Sequence, residues 1–195
     1  RRLPSNPISV STPGANKKNI FEMDMSTSVV SEGKLKINYL LKKRIDKNII
    51  IDNLGKVSQN PKSFYENPKG AILPLGGISA YKGYGLSMAV DILSGALSEA
   101  GCSSKKKAQH GNSVTFITIK INSFTSIKNF RQKVADLITH VKSSRLQKGF
   151  KKILIPGEPE KINMKKNKKK GVDINFVTLK EIKNLLKKRN IRINI

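Results

Sequence analysis

The chain has 195 residues, 37% of them hydrophobic and 6% aromatic, with 38 basic against 13 acidic side chains and a formal net charge of +25. That length buries a core as one large domain or two small ones. No run reaches the roughly 18 apolar residues of a membrane helix, and Arg1-Arg2-Leu3-Pro4 is not followed by the apolar stretch of a secretion signal, so the expectation is a soluble, cytoplasmic protein.

The single cysteine, Cys102, has no partner for an internal disulfide, which fits a reducing compartment. The basic excess by itself suits a polyanion such as nucleic acid. Its make-up argues the other way: seven of the 38 are arginine and 31 are lysine, whereas the planar fork that reads bases and clamps phosphate belongs to arginine. Lysine on solvated faces, in a chain also rich in Ile and Asn, is the plainer account.

In chain order, Asn6-Pro7-Ile8-Ser9-Val10-Ser11 alternates apolar and polar before Pro13-Gly14, as a short strand entering a turn does. A second strand is expected over Ile20, Phe21, Met23 and Met25. Ser26-Thr27-Ser28 then suits a helix cap, with Val29, Val30, Gly33, Ile37, Leu40 and Leu41 continuing at helical spacing to near Arg44. The density of turn formers from Asp46 to Gly70 predicts an exposed, irregular connection. From Tyr84 to Ala100, Leu86, Ala89, Val90, Leu93, Ala96, Leu97 and Ala100 recur at three- and four-residue intervals in a nearly uncharged run, predicting a deeply buried helix.

After a loop from Gly101 to Asn112 holding Lys105, Lys106 and Lys107, the β-branched run Val114 to Ile121 predicts a strand. Ser126 suits the cap of an amphipathic helix carrying Ile127, Phe130, Val134, Leu137, Ile138 and Val141, expected to pack on the sheet. Ile153-Leu154-Ile155 reads as a short buried strand before Pro156-Gly157. A loop bearing Lys165, Lys166, Lys168, Lys169 and Lys170 is expected to lead to a last helix, for which Thr178 and Glu181 match a capping box.

Three separated blocks carry a resemblance. They are Phe21-Glu22-Met23-Asp24-Met25-Ser26-Thr27-Ser28, then Gly70-Ala71-Ile72-Leu73-Pro74-Leu75-Gly76-Gly77 with Tyr81-Lys82-Gly83-Tyr84-Gly85-Leu86, and Ile155-Pro156-Gly157-Glu158-Pro159-Glu160. In order and spacing they resemble the malate/L-lactate/L-sulfolactate dehydrogenase family, with ureidoglycolate dehydrogenases and diketogulonate reductases among its members. The resemblance implies an α/β fold with a mixed, largely antiparallel sheet flanked by helices, distinct from the Rossmann domain. The residues agree, since Gly83-Tyr84-Gly85 is followed by Ser87-Met88 with no third glycine of the dinucleotide fingerprint.

What the resemblance further implies is an NAD(P)-dependent oxidoreductase interconverting a 2-hydroxy acid and its 2-oxo acid, acting as a homodimer on a small-molecule substrate. It divides the chain into a cofactor-binding central domain, 1–150, and a C-terminal segment, 151–195, completing a helical domain. The NAD or NADP cofactor would be held by Met23, Asp24, Met25, Ser26, Thr27 and Ser28, by Tyr81 and Lys82, and by Gly157, Glu158 and Pro159. Asp24, expected to be partly buried, would also orient substrate. No metal site is expected.

Each block has a plainer alternative: a polar helix cap at Ser26–Ser28, tight turns at the glycines, and a Pro-Gly turn carrying a solvated acid at Glu158. Reduction of a 2-oxo acid calls for a proton donor and a cation for the carboxylate, and His110 and His140 both read as surface residues. The resemblance puts the catalytic histidine and arginine in a region ahead of Arg1, so the chain is expected to be N-terminally truncated. Two other classes stay open, an inactive remnant of such an enzyme and a basic nucleic-acid or polyanion binding module. If lysine merely solvates the surface, electrophoresis of short duplex DNA or RNA with the chain at moderate salt will show no retarded band.

Overall fold

The structure is a computed structural model that describes residues 2–14, 21–104 and 112–191. Ile20, Lys105 to Lys107 and His110 therefore lie outside the described residues. The first two strands form as expected: β1 (Ile8–Thr12) pairs antiparallel with β2 (Phe21–Met25), Ile8 opposite Met25 and Thr12 opposite Phe21. Alternation sets the faces, so Met23 and Met25 are half-buried while Glu22 and Asp24 are exposed. Asp24 is thus not partly buried as expected.

The helix expected at Ser26 begins six residues later. α1 spans Glu32–Leu40 with Ser31 at its N-cap position, and residues 26–28 stay extended, Ser28 bridging antiparallel to Pro74. The backbone groups that a helix start would leave free are committed here: the Thr27 N–H donates to the Ser5 carbonyl (3.0 Å) and the Val29 N–H to the Leu73 carbonyl (2.9 Å). α1 also ends at Leu40 rather than near Arg44, and its inward residue is Leu35, 1% exposed, not the Ile37 row, which faces water.

The segment expected to be an irregular, exposed connection is instead the heart of the core. β3 (Ile50–Ile51) is the middle strand between β4 (Val57–Ser58) and β5 (Ala71–Ile72), antiparallel to both, and α2 (Lys62–Tyr65) follows β4. Leu35, Ile45, Ile50 and Phe64 form the buried cluster, with Ile50 fully buried. Strands of two residues fall below the length at which alternation is visible, and turn formers surround each. Tyr65 closes one edge, its ring 4.6 Å from Tyr39 and 4.9 Å from Phe64, with the Lys36 ammonium over both tyrosines at 5.2 and 4.9 Å.

A 3-10 turn, Gly77–Ser79, leads into α3 (Ala80–Asp91), which continues as a π-helical turn, Ile92–Ala96. The expected deep burial is not found. Gly83, Ser87 and Gly95 are its buried positions, whereas Tyr84, Leu93 and Leu97 are exposed. Gly83 sits so close to the Leu75 backbone that a Cβ would lie 2.2 Å from the Leu75 oxygen, while Gly85, two residues on, faces open space.

Residues 112–120 form no strand, and Phe116 is 87% exposed. α4 (Ile127–Lys142) forms as expected, the Ser126 hydroxyl accepting from the Asn129 N–H at 3.1 Å. It does not lie on a sheet, and Leu137 on its apolar stripe is 61% exposed. Residues 153–155 are not a strand either, although Ile155 is buried and the Glu22 N–H reaches the Pro156 carbonyl at 3.2 Å.

The lysine-rich stretch expected as a loop is helical. α5 spans Glu158–Lys170, with a proline in its first turn, Glu158 and Glu160 at the positive end, and Lys168, Lys169 and Lys170 at the negative end. α6 (Phe176–Lys188) is capped by Asn175, whose side chain accepts from the Thr178 N–H at 2.9 Å, three residues earlier than the expected capping box. Glu158 ties α5 down: one carboxylate oxygen takes the Lys142 ammonium at 2.5 Å and the other accepts from the Ile155 N–H at 2.9 Å. Lys161 adds an ion pair to Glu22 at 3.2 Å.

Two outcomes follow. Alanine in a helix interior normally gains up to about 1 kcal/mol over glycine, so Gly85→Ala will stabilise by that order, while Gly83→Ala will destabilise by about 1–3 kcal/mol through overpacking on Leu75; urea unfolding of both variants reads the opposite signs. The Lys142 hydrogen bond, then the Ile155 N–H, hold the Glu158 carboxyl below its ordinary 4.5. Because the folded value is depressed, the stabilisation is present above pH 4.5 and is lost as pH falls through the lowered folded value. The stability difference between the chain and Glu158→Gln, measured by denaturation, will be constant from pH 6 to 8 and will vanish on acidification below that point.

Candidate functional site

Block one is held in place by the backbone seam at residues 27–29. Thr27 is 2% exposed, both its N–H and its hydroxyl donate to the Ser5 carbonyl at 3.0 Å, and its own carbonyl accepts from the Leu75 N–H at 2.9 Å. The Ser26 hydroxyl donates to the Ser28 carbonyl at 3.1 Å and the Ser28 hydroxyl to the Val30 carbonyl at 2.8 Å. The three hydroxyl protons are therefore used within the protein, and what the segment offers a ligand is oxygen lone pairs.

A cavity of about 940 Å³ opens beside this seam. Ser28 and Thr27 line it together with Arg2, Glu32, Tyr84 and Ser87. The Asn6 amide donates to the Ser87 carbonyl at 2.9 Å and so ties the chain start to α3. Arg2, Tyr84 and Ser87 were not among the expected site residues. Tyr84 and Met88, a further lining residue, share a helix face at i, i+4 spacing, outside the Leu86, Ala89, Val90 and Leu93 row expected to be core.

The Tyr81-Lys82 pair of block two lies in the first turn of α3. Tyr81 and Lys82 are both exposed and line neither of the cavities described here. They follow a turn in which Gly76 has φ +124 and Gly77 φ +56; a Cβ at Gly76 would meet the Ser79 oxygen at 2.6 Å, and Gly77 faces open space. The first turn of a helix leaves N–H groups without partners inside the helix, so Lys82 adds a full positive charge where the backbone is already electropositive.

Block three meets block one directly. Gly157 (φ +93) packs on β2 so closely that a Cβ would stand 2.9 Å from Glu22 Cβ. Glu158 lines a second cavity of about 580 Å³, together with Lys142, Lys151, Lys152, Lys161 and Lys165. Its carboxylate first closes the turn from Ile155 and pairs with Lys142, leaving its remaining lone pairs for a ligand.

The three blocks are thus linked: blocks one and two share the first cavity through Ser28, Pro74 and Tyr84, while block three lines the second. β2 carries the link: Gly157 touches it at Glu22, and six residues further Ser28 bridges to Pro74, next to the Leu75 on which Gly83 of α3 rests. At about 3.3 Å per residue that path is at most roughly 20 Å. Met23, Asp24 and Met25 lie along it, Asp24 pointing away from the two half-buried methionines. His140 is exposed near the end of α4 and lines neither cavity, and no cluster of three or more potential metal ligands occurs among the described residues. No helix there is long and apolar enough to cross a membrane.

Comparison with known proteins gives this arrangement its context. The chain is 35% identical to the malate dehydrogenase of Pyrococcus horikoshii over 96% of its length and 53% of that relative's. It is 35% identical to the L-sulfolactate dehydrogenase of Methanocaldococcus jannaschii, over 94% of this chain and 53% of that one. Among solved structures, the P. horikoshii enzyme superposes with a TM-score of 0.77 at 32% identity, covering 98% of this chain and 53% of that one. The malate dehydrogenase of Entamoeba histolytica superposes with a TM-score of 0.80 at 25% identity, covering 97% and 56%. The chain spans about half the length of the curated relatives it matches. The non-Rossmann α/β arrangement of small antiparallel sheets and helices is accordingly the one these dehydrogenases share. The model of the malate/L-lactate dehydrogenase family matches residues 1–183, and the chain belongs to that family.

Proposed function

We propose that the chain is the cofactor-binding part of a nicotinamide-dependent oxidoreductase that interconverts a small 2-hydroxy acid and its 2-oxo acid. The observation that supports this most is the linkage of the three blocks along β2, in a chain whose relatives are named malate and sulfolactate dehydrogenases. A dinucleotide laid along that path meets a different chemistry at each station. Lys82 and the first turn of α3, behind a turn in which Gly77 faces open space, suit a phosphate. Ser28 and the carbonyls around it accept hydrogen bonds from an amide or a hydroxyl, as does the part of Glu158 not engaged by Lys142 and Ile155.

When bound, the nicotinamide ring supplies the hydride chemistry. The chain's own contribution is to hold and orient. Met23 and Met25 give β2 an apolar face, and Arg2, which lines the same cavity as Ser28, carries a guanidinium suited to pairing bidentately with the carboxylate of a 2-hydroxy or 2-oxo acid. The same reading includes NAD or NADP as the cofactor, cytoplasmic residence and assembly as a homodimer.

Titration calorimetry of the chain with NADH and with NADPH tests the proposal and distinguishes the two cofactors. Binding of at least one is expected, and Lys82→Ala should weaken it about tenfold, or 1.4 kcal/mol. With cofactor present, Arg2→Gln should weaken binding of oxaloacetate or pyruvate while leaving cofactor affinity unchanged. Absence of binding by either nucleotide, or a Lys82→Ala variant that binds as the parent does, would overturn the assignment.

A further inference from the structure

The second cavity has the size of a small-ligand site, but its charge sets it apart. It opens where the end of α4, the loop after it and the first two turns of α5 meet, and five lysines line it against one acid. Lys142 pairs with Glu158 and Lys161 with Glu22, whereas among the described residues no ion pair joins Lys151, Lys152 or Lys165 to a carboxylate. Lys161 and Lys165 also stand one helical turn apart, where like charges repel. Positive charge is thus gathered round one hollow beyond what the neighbouring acids offset.

In dinucleotide sites of the Rossmann type, an acid beside the ribose accepts from the 2′-hydroxyl of NAD, whereas a cation nearby accommodates the 2′-phosphate of NADP. Glu158 is an acid of that kind, but its charge is already answered. One carboxylate oxygen takes the Lys142 ammonium and the other the Ile155 N–H, and the charges of Lys142 and Lys152 add to these two hydrogen bonds in holding the carboxyl low. A ligand reaching this wall therefore meets lysine first. A phosphate monoester brings a charge of about −1.5 to −2 and three acceptor oxygens, where a hydroxyl brings no charge. Leu146, Ile153, Leu154 and Ile162 add apolar surface beside the lysines, which suits the face of a purine and does nothing for a hydrated inorganic anion.

We propose that this cavity takes the adenosine end of the cofactor and that its lysines hold a 2′-phosphate, so that the chain prefers NADP to NAD. The inference rests on the oxidoreductase reading above, and the direction of the cofactor follows from that reading. Arg2, suited to the substrate carboxylate, lines the first cavity, so the nicotinamide belongs there and the adenosine at the other end of β2. Lys151 and Lys152 are the principal partners of the 2′-phosphate, because Lys142 and Lys161 already serve Glu158 and Glu22. The lone pairs of Glu158 that remain suit the neighbouring 3′-hydroxyl.

Titration calorimetry of the chain tests this with NADPH, NADH, adenosine 2′,5′-bisphosphate and 5′-AMP, and with inorganic phosphate as a competitor. NADPH should bind at least about tenfold more tightly than NADH, and the bisphosphate than 5′-AMP, the worth of one charge-assisted hydrogen bond. Lys151→Ala combined with Lys152→Ala, both at exposed positions, should remove most of that preference by weakening NADPH rather than NADH, with the far-UV circular dichroism unchanged. Lys168→Ala combined with Lys169→Ala deletes the same charge in the last turn of α5, away from the cavity, and should leave the preference as it was. Lys82→Ala should weaken both dinucleotides alike. Equal binding of NADH and NADPH would overturn this inference alone, as would inorganic phosphate that displaces the bisphosphate at matching concentration, or a preference that falls as far in the distal variant. Binding of neither dinucleotide would overturn the oxidoreductase reading and this inference with it.

Discussion

The fold depends on a seam of backbone hydrogen bonds between residues 27–29 and 73–75. Thr27 gives both of its protons to Ser5 and accepts from Leu75, while Val29 donates to Leu73. Through these few bonds the β1–β2 hairpin, the three-stranded sheet and α3 become one body, because Leu75 is also the backbone on which Gly83 rests. A buried threonine left without those partners would carry a desolvation cost of about 1–3 kcal/mol. The same demand that satisfies the polar groups therefore fixes where the second cofactor block lies relative to the first.

The seam also explains why the expected helix start at Ser26 is absent. A Ser-Thr-Ser run has two uses for its hydroxyls, capping a helix or bonding to nearby carbonyls in an extended chain. Locally the two are indistinguishable. Here the tertiary partners Ser5, Leu73 and Leu75 decide, and they come from segments 22 to 48 residues away along the chain. The hydroxyl protons are thereby spent on protein carbonyls, and the site keeps acceptors in place of the donors that a helix start supplies.

Other elements were legible for a stated reason. The β1–β2 hairpin alternates cleanly, and α4 has both an apolar stripe and a serine that caps it. The core strands β3, β4 and β5 were not, since two residues carry no period, and Leu35 was passed over because its neighbours are lysines. α5 was missed from the opposite side: its charges carry the helix signal, with acids at the start and lysines at the end, while it lacks an apolar stripe. The glycines that matter most, at 83 and 157, announce flexibility in a sequence, yet their role is to admit close contact with Leu75 and Glu22. At the site, the three blocks, Tyr84 among them, were identified by resemblance, whereas Arg2 and Ser87 became visible only when the cavity brought them beside Ser28.

α5 is held chiefly at its first turns, by Glu158 on Lys142 and by Lys161 on Glu22. Farther along, Lys165 faces Lys169 and Lys166 faces Lys170 at i, i+4 spacing, where like charges repel. Mobile ions weaken both kinds of contact, but the repulsive pairs lie in the distal half and the anchors at the root. Raising ionic strength therefore tightens the distal half of this helix while loosening its root, so the helix trades a firm base for a firm tip as the medium becomes saltier.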